Sequence, residues 1–427
     1  MQAASTATPD IGSRRKRIMR PPLLVIATLF LLILFLRHPA GILHANFWAE
    51  DGWFWYPDAY RLGLRCLIIP HTGYLQTLSR LGGLIAQGMP LLWAPTVFAV
   101  IALVVQASPA LLLLSRRFDA AWPQYWSRLL FALVFIGLPD SFETFGNLTN
   151  SQWYLGIFAC LIVLGAPPRG MAGRIGDSLV LIVSALSGPL CLMVAPIAFW
   201  VWWSDRGADR LLRFGLILGG ACLQLLMIAT TLEQARRPVM LGVSLINLAH
   251  ILTEKLAYGL LLGSRAAKRL HQDAFWNGDF AACIIAAAVL AMLVLAWLRG
   301  GPLFRRFAAF GGLVFAAALV SPVVTGTPAW VILASPGAGD RYFLIPKLVL
   351  AAAFFSLASD RRLWLSRCGL IAGVALIAGI AGDFPYPHMR ATDFDAKARA
   401  FAAAPPGTMM TFPVLPIPHE DMTLVKK

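Results

Sequence analysis

The sequence predicts an all-α fold, a polytopic transmembrane bundle, on three observations. Of 427 residues, 58% are hydrophobic and only 13% charged, a balance that soluble domains do not show. The apolar residues fall in long runs of membrane-crossing length. The basic residues cluster between those runs, so the net charge of +15 describes retention of positive loops on one side of a membrane and not a nucleic-acid face.

Taken in order, a basic RRKR at Arg14 to Arg17 precedes the apolar run Pro22 to Leu36. No small-residue cleavage site follows, so this reads as an uncleaved first helix with a cytoplasmic N-terminus. At roughly 20 apolar residues per crossing the chain offers about eleven spans including this one, placed at 21–37, 91–114, 122–138, 152–166, 178–189, 190–203, 214–231, 280–298, 307–321, 342–358 and 366–382. The fifth and sixth are short and meet at Ser187-Gly188-Pro189, which suggests a re-entrant pair or helices that lean on their neighbours. Arg116, Arg117, Arg169, Arg174, Arg206, Arg210, Arg213, Arg299, Arg305, Arg306, Arg361, Arg362 and Arg367 occupy alternate connections. The positive-inside rule makes that side cytoplasmic.

The other connections, 38–90, 139–151, 232–279, 322–341 and the tail from 383, are richer in aromatic, Asn, Gly, Pro and acidic residues. Function is expected on that face. Leu241 to Gly263 has helical periodicity broken by His250, Glu254 and Lys255, and reads as a helix lying at the interface. The SRAAKR segment after it, with Arg265 and Arg269, suits lipid headgroups or a lipid-linked phosphate. The chain divides into a membrane domain, 1–382, and a short extension, 383–427, too small for a core of its own.

The candidate chemistry centres on His44 to Tyr60, where Glu50 and Asp51 stand among aromatic residues. Adjacent carboxylates point about 100° apart on a helix, so they are expected to play different parts: one a general base, the other a sugar ligand or an anchor. Trp53 and its aromatic neighbours can stack on a sugar or form an interfacial belt. His71 and Tyr74, in PHTGYLQ, offer hydrogen bonds. Asn147, Asn150 and Gln152, in ETFGNLTNSQW, offer neutral polyol ligands, with helix capping as the plainer role. Arg341, in GAGDRYFLIPK, would meet a phosphate at headgroup depth, with Lys347 deeper on the same helix. The scattered cysteines read as buried apolar side chains. No metal spacing and no phosphate-binding loop occur, so no cofactor is expected and a divalent metal is not indicated.

A cytoplasmic N-terminus, about eleven spans and an acidic motif in a long first outer loop together resemble the GT-C superfamily of integral membrane glycosyltransferases. The motifs that carry the resemblance are WAEDG at Trp48 to Gly52, NLTNSQW and DRYF. It implies a polyprenyl-phosphate-linked sugar as donor and a cell-envelope glycan or lipid as acceptor. It also implies a catalytic first-loop carboxylate at Asp51, with Glu50 beside it, and a periplasmic site on a bacterial inner membrane. The sequence lacks a WWDYG-type motif, which argues against transfer to protein. A transporter or flippase of a lipid-linked sugar is the rival expectation, although no internal repeat supports it.

Overall fold

The computed structural model describes residues 20–235, 240–324, 326–387, 389–416 and 421–427. The RRKR cluster lies outside them. The principal helices are α1 (Leu23–Arg37), α2 (Ala94–Leu114), α3 (Tyr125–Ile136), α4 (Ser151–Leu164), α5 (Met171–Ala185), α6 (Cys191–Asp205) and α7 (Ala208–Ala235). They continue with α8 (Leu245–Gln272), α9 (Asp279–Arg299), α10 (Pro302–Val320), α11 (Leu344–Ala358), α12 (Leu363–Asp383) and α13 (Phe394–Ala403). Among the described residues seven helices are long and apolar enough to cross a membrane, and four shorter apolar helices accompany them. This is a membrane protein by the length and composition of its helices.

Leu, Ile, Val and Ala fill the helices because, in lipid, only a helix satisfies its own backbone while showing an apolar surface. One end of the bundle collects most of the arginines that fall between the apolar runs. Arg20 and Arg128 share Asp119 at 3.0 and 2.5 Å, and Arg117 and Arg213 share Asp177 at 2.7 and 3.1 Å. Arg299 meets Asp360 at 3.0 Å. Arg210 and Arg213 also donate to the carbonyls that end α4, where cations suit the helix dipole.

At the opposite end Arg37 closes α1 by donating to the carbonyls of Ile136 (3.0 Å), the last residue of α3, and Leu138 (3.1 Å) just beyond it. The helices α5 and α6 occupy the segment expected to form a re-entrant pair or to lean on neighbours, and both are packed on neighbouring elements. α5 begins near Arg174, paired with Asp209, and its turn into α6 reaches the first long connection through the Gln76–Ser187 bridge. α6 then returns to Asp205 and Arg210. Buried Gln224 pins the turn between α5 and α6, donating to Ala185 O and accepting from Leu75 N.

The expected interfacial helix is also revised. It is part of α8, and its polar interruptions are buried in protein instead of facing headgroups: Glu254 is 5% and Lys255 1% exposed. α8 passes over the ends of its neighbours, with His250 at Asp279, Thr253 at Ala282 and Lys255 at Asp340. It kinks at Gly263 (φ 80°), and Ser264 then donates to Asp383. A side chain at Gly263 would strain this left-handed backbone and press on Asp383.

The tail departs from an all-α fold in one hairpin, β1 (Met409–Phe412) with β2 (Met422–Val425), antiparallel with Met409 opposite Val425. Its apolar side chains form no separate core. Phe394, Phe401, Phe412 and Leu424 pack with Phe47, Trp55, Tyr56 and Phe98, so the tail and the first connection bury one another.

Candidate functional site at the end opposite the arginines

The WAEDG stretch is pinned to the tail by one isolated parallel bridge, Trp48 to Leu415. Leu415 N donates to Phe47 O at 2.9 Å, and Ala49 N donates to Leu415 O at 2.5 Å. Ala49 takes a positive φ of 47°, a strained conformation for a residue with a Cβ. The chain then turns into one π-helical turn, Asp51–Trp55, a form that recurs at functional sites. This turn sends the two carboxylates apart.

Asp51 is buried. Its carboxyl accepts from Leu148 N (3.0 Å) and Thr149 N (2.8 Å), while Trp55 Nε1 donates to Thr149 Oγ1 at 2.8 Å. Burial pushes the Asp51 carboxyl up to about 8 against the pull of those N–H donors, because the charged form loses more hydration than the two bonds return. Glu50 is half-buried. Among the described residues no hydrogen bond or ion pair to its carboxylate is formed.

His71 lies against Phe54 (centroids 4.2 Å apart) and edge-on to Trp55 (5.1 Å). Burial first, and then the charge of Arg80, lower its pKa to about 4, so the imidazole is neutral at physiological pH. Arg80 stacks over Trp55 at 5.0 Å and pairs with Asp58 at 3.0 Å. Trp53 and Phe54 border a groove that the tail closes with Met422 and Thr423.

Tyr74 and Gln152 line one cavity of about 230 Å³, together with Trp153 and Tyr342. The cavity thus joins the HTGY, NSQW and DRYF segments. Arg341, next in sequence to Tyr342, is not part of that lining and is committed within the protein. Its guanidinium pairs with Glu143 and donates to Val323 O at 2.7 Å, and its backbone N–H also reaches Glu143. About a quarter of the Arg341 side chain stays exposed.

Several expected ligands are spent elsewhere. Lys347 is fully buried, with Nζ 2.6 Å from the Asp140 carboxylate and 2.7 Å from its carbonyl, so it does not extend toward a phosphate. Asn147 Nδ2 donates to the carbonyls of Glu143 and Phe145, and its Oδ1 accepts from Asn150. Asn150 Nδ2 also donates to Glu143 O. Both amides therefore brace their own connection and do not face a polyol. Arg265 donates to Pro385 O at 2.8 Å, and Arg269 is exposed.

Sequence reasoning missed the wiring of 139–151. Asp383 accepts from Asp140 N, Tyr386 bonds Ser141, and Tyr154 bonds Thr144. Asp140 sits between Lys347 and the pair formed by Lys255 and Asp340, whose Nζ and Oδ1 are 2.6 Å apart. Burial and then repulsion from Asp340 raise the Asp140 carboxyl, while the two lysines oppose the shift. The available signal was isolation, since single ionisable residues in apolar surroundings need partners. Comparison with protein-family models, curated proteins and solved structures finds no match.

Proposed function

We propose that this chain is an integral membrane glycosyltransferase of about eleven crossings, with the arginine-rich end in the cytoplasm and the site at the outer face of a bacterial inner membrane. It takes a sugar from a polyprenyl phosphate carrier and passes it to a hydroxyl of a cell-envelope glycan or lipid. The observation that carries the reading is the division of labour in the acidic pair. Asp51 latches the first connection to Leu148 and Thr149, while Glu50 stands beside it half-buried, with no hydrogen bond or ion pair among the described residues.

A carboxyl that keeps its proton at neutral pH cannot serve as a base, so the geometry favours Glu50 for that step and Asp51 as its positioning residue. Glu50 takes the proton of the acceptor hydroxyl as its oxygen bonds to the anomeric carbon. The bond to the carrier phosphate breaks, the lipid phosphate leaves with the electron pair, and the configuration inverts. Arg341, partly exposed and one residue before the cavity-lining Tyr342, is the cation proposed to meet the departing charge, and Glu143 holds its guanidinium in place. His71, neutral among Phe54 and Trp55, shapes the aromatic wall.

The test is transfer by the purified protein from undecaprenyl phosphate sugars to envelope glycans and lipids. Glu50→Gln should cut turnover by about 10² or more with KM little changed. Transfer by that variant at the wild-type rate would sink the assignment. Movement of labelled lipid-linked sugar across vesicles without any transfer would favour transport instead.

A further inference from the structure

A second cavity, of about 600 Å³, opens at the arginine-rich end between α2, α3, α4, α10 and α11. Its volume is that of a pocket for a molecule of substantial size. Phe131, Phe135, Ile157, Leu161 and Phe355 make its wall apolar, and no acidic side chain lines it. Along α11 the lining runs from Ser359 in to Leu348. At 1.5 Å per residue this is a depth of about 16 Å, half of a hydrocarbon core about 30 Å thick.

The mouth carries Arg299 and Arg306. Arg299 is neutralised by Asp360. Arg306 rests over the Trp200 ring at 5.8 Å, and its Nε is buried without a hydrogen-bond partner. Among the described residues no ion pair to Arg306 is formed. A guanidinium without an ion pair among the described residues, above an apolar slot one leaflet deep, is complementary to an anionic headgroup on a single acyl chain's length.

We propose that this cavity binds one anionic phospholipid of the leaflet at that end, its chain among Phe131, Ile157 and Phe355 and its phosphate at Arg306. The lipid would act as a structural ligand, separate from the donor site at the other end. A polyprenyl phosphate shares this chemistry but is longer than one leaflet.

The test is native mass spectrometry of the full chain after exchange into nanodiscs of phosphatidylglycerol, phosphatidylcholine, or phosphatidylcholine with undecaprenyl phosphate. Wild type should retain phosphatidylglycerol at least tenfold over phosphatidylcholine. Arg306→Gln should abolish that preference, and Ala352→Phe, which fills the slot, should release both lipids. Ser356→Leu repeats the filling should Ala352→Phe elute as aggregate. Equal retention of the two phospholipids by wild type would overturn the proposal. So would retention unchanged in the filled slot, which marks ordinary annular lipid, or preferential capture of undecaprenyl phosphate.

Discussion

Asp51 and Glu50 differ by one position and occupy different electrostatic worlds. With Asp51 pushed up to about 8 from an ordinary value of 3.8, the folded chain holds that proton more tightly than the unfolded chain does. The latch therefore contributes fully below about pH 4 and loses its contribution as the pH climbs through 8. Thermal stability in detergent should fall between pH 5 and pH 9, and Asp51→Asn should flatten that slope. Asp51→Ala should cost about 1–3 kcal/mol by leaving the N–H groups of Leu148 and Thr149 unpaired. Melting curves across the pH range check both, and a slope unchanged in Asp51→Asn would remove Asp51 as its cause. The acidic pair was legible in the sequence because carboxylates are rare in such apolar surroundings. The assignment of roles was not, because the donors lie 97 and 98 residues away.

Among the elements, the connection 139–151 is the hub, and its lock is the Lys347–Asp140 pair. Removing one member strands a buried charge, so Lys347→Met should destabilise by about 3 kcal/mol or more. Lys347→Met with Asp140→Asn removes both charges and should recover much of that loss, as a double-mutant cycle would read. Additive losses would mean that the two side chains act independently. Hydropathy located α2 well, since an uninterrupted apolar run marks its own length. It drew α5 short, because Arg174 and Asp177 break the run and their pairing with Asp209, Arg117 and Arg213 exists only in three dimensions. The interruptions in α8 misled for the same reason: Lys255 is paired with Asp340, not solvated.

Across the whole molecule, charge and burial separate the two ends. Arginines on Asp119, Asp177 and Asp360 brace one end, while the other carries the acidic pair, the aromatic wall, the Arg80–Asp58 and Arg341–Glu143 pairs and a tail that shares a core with the first connection. The class of fold was legible in composition, whereas the joint core was not, because its halves lie at opposite ends of the chain. The proposed orientation rests on the arginines alone, since connections rich in Lys and Arg are retained on the cytoplasmic side. Two exposed positions test it: Arg65, in the first connection, and Arg174, at the start of α5. In a cysteine-free background, Arg65→Cys in intact cells with a permeable outer membrane should react with a membrane-impermeant maleimide. Arg174→Cys should react only after the inner membrane is opened. The reverse pattern would place the acidic pair in the cytoplasm, where a sugar carried on the outer leaflet could not reach it, and the proposed reaction would fall with the topology.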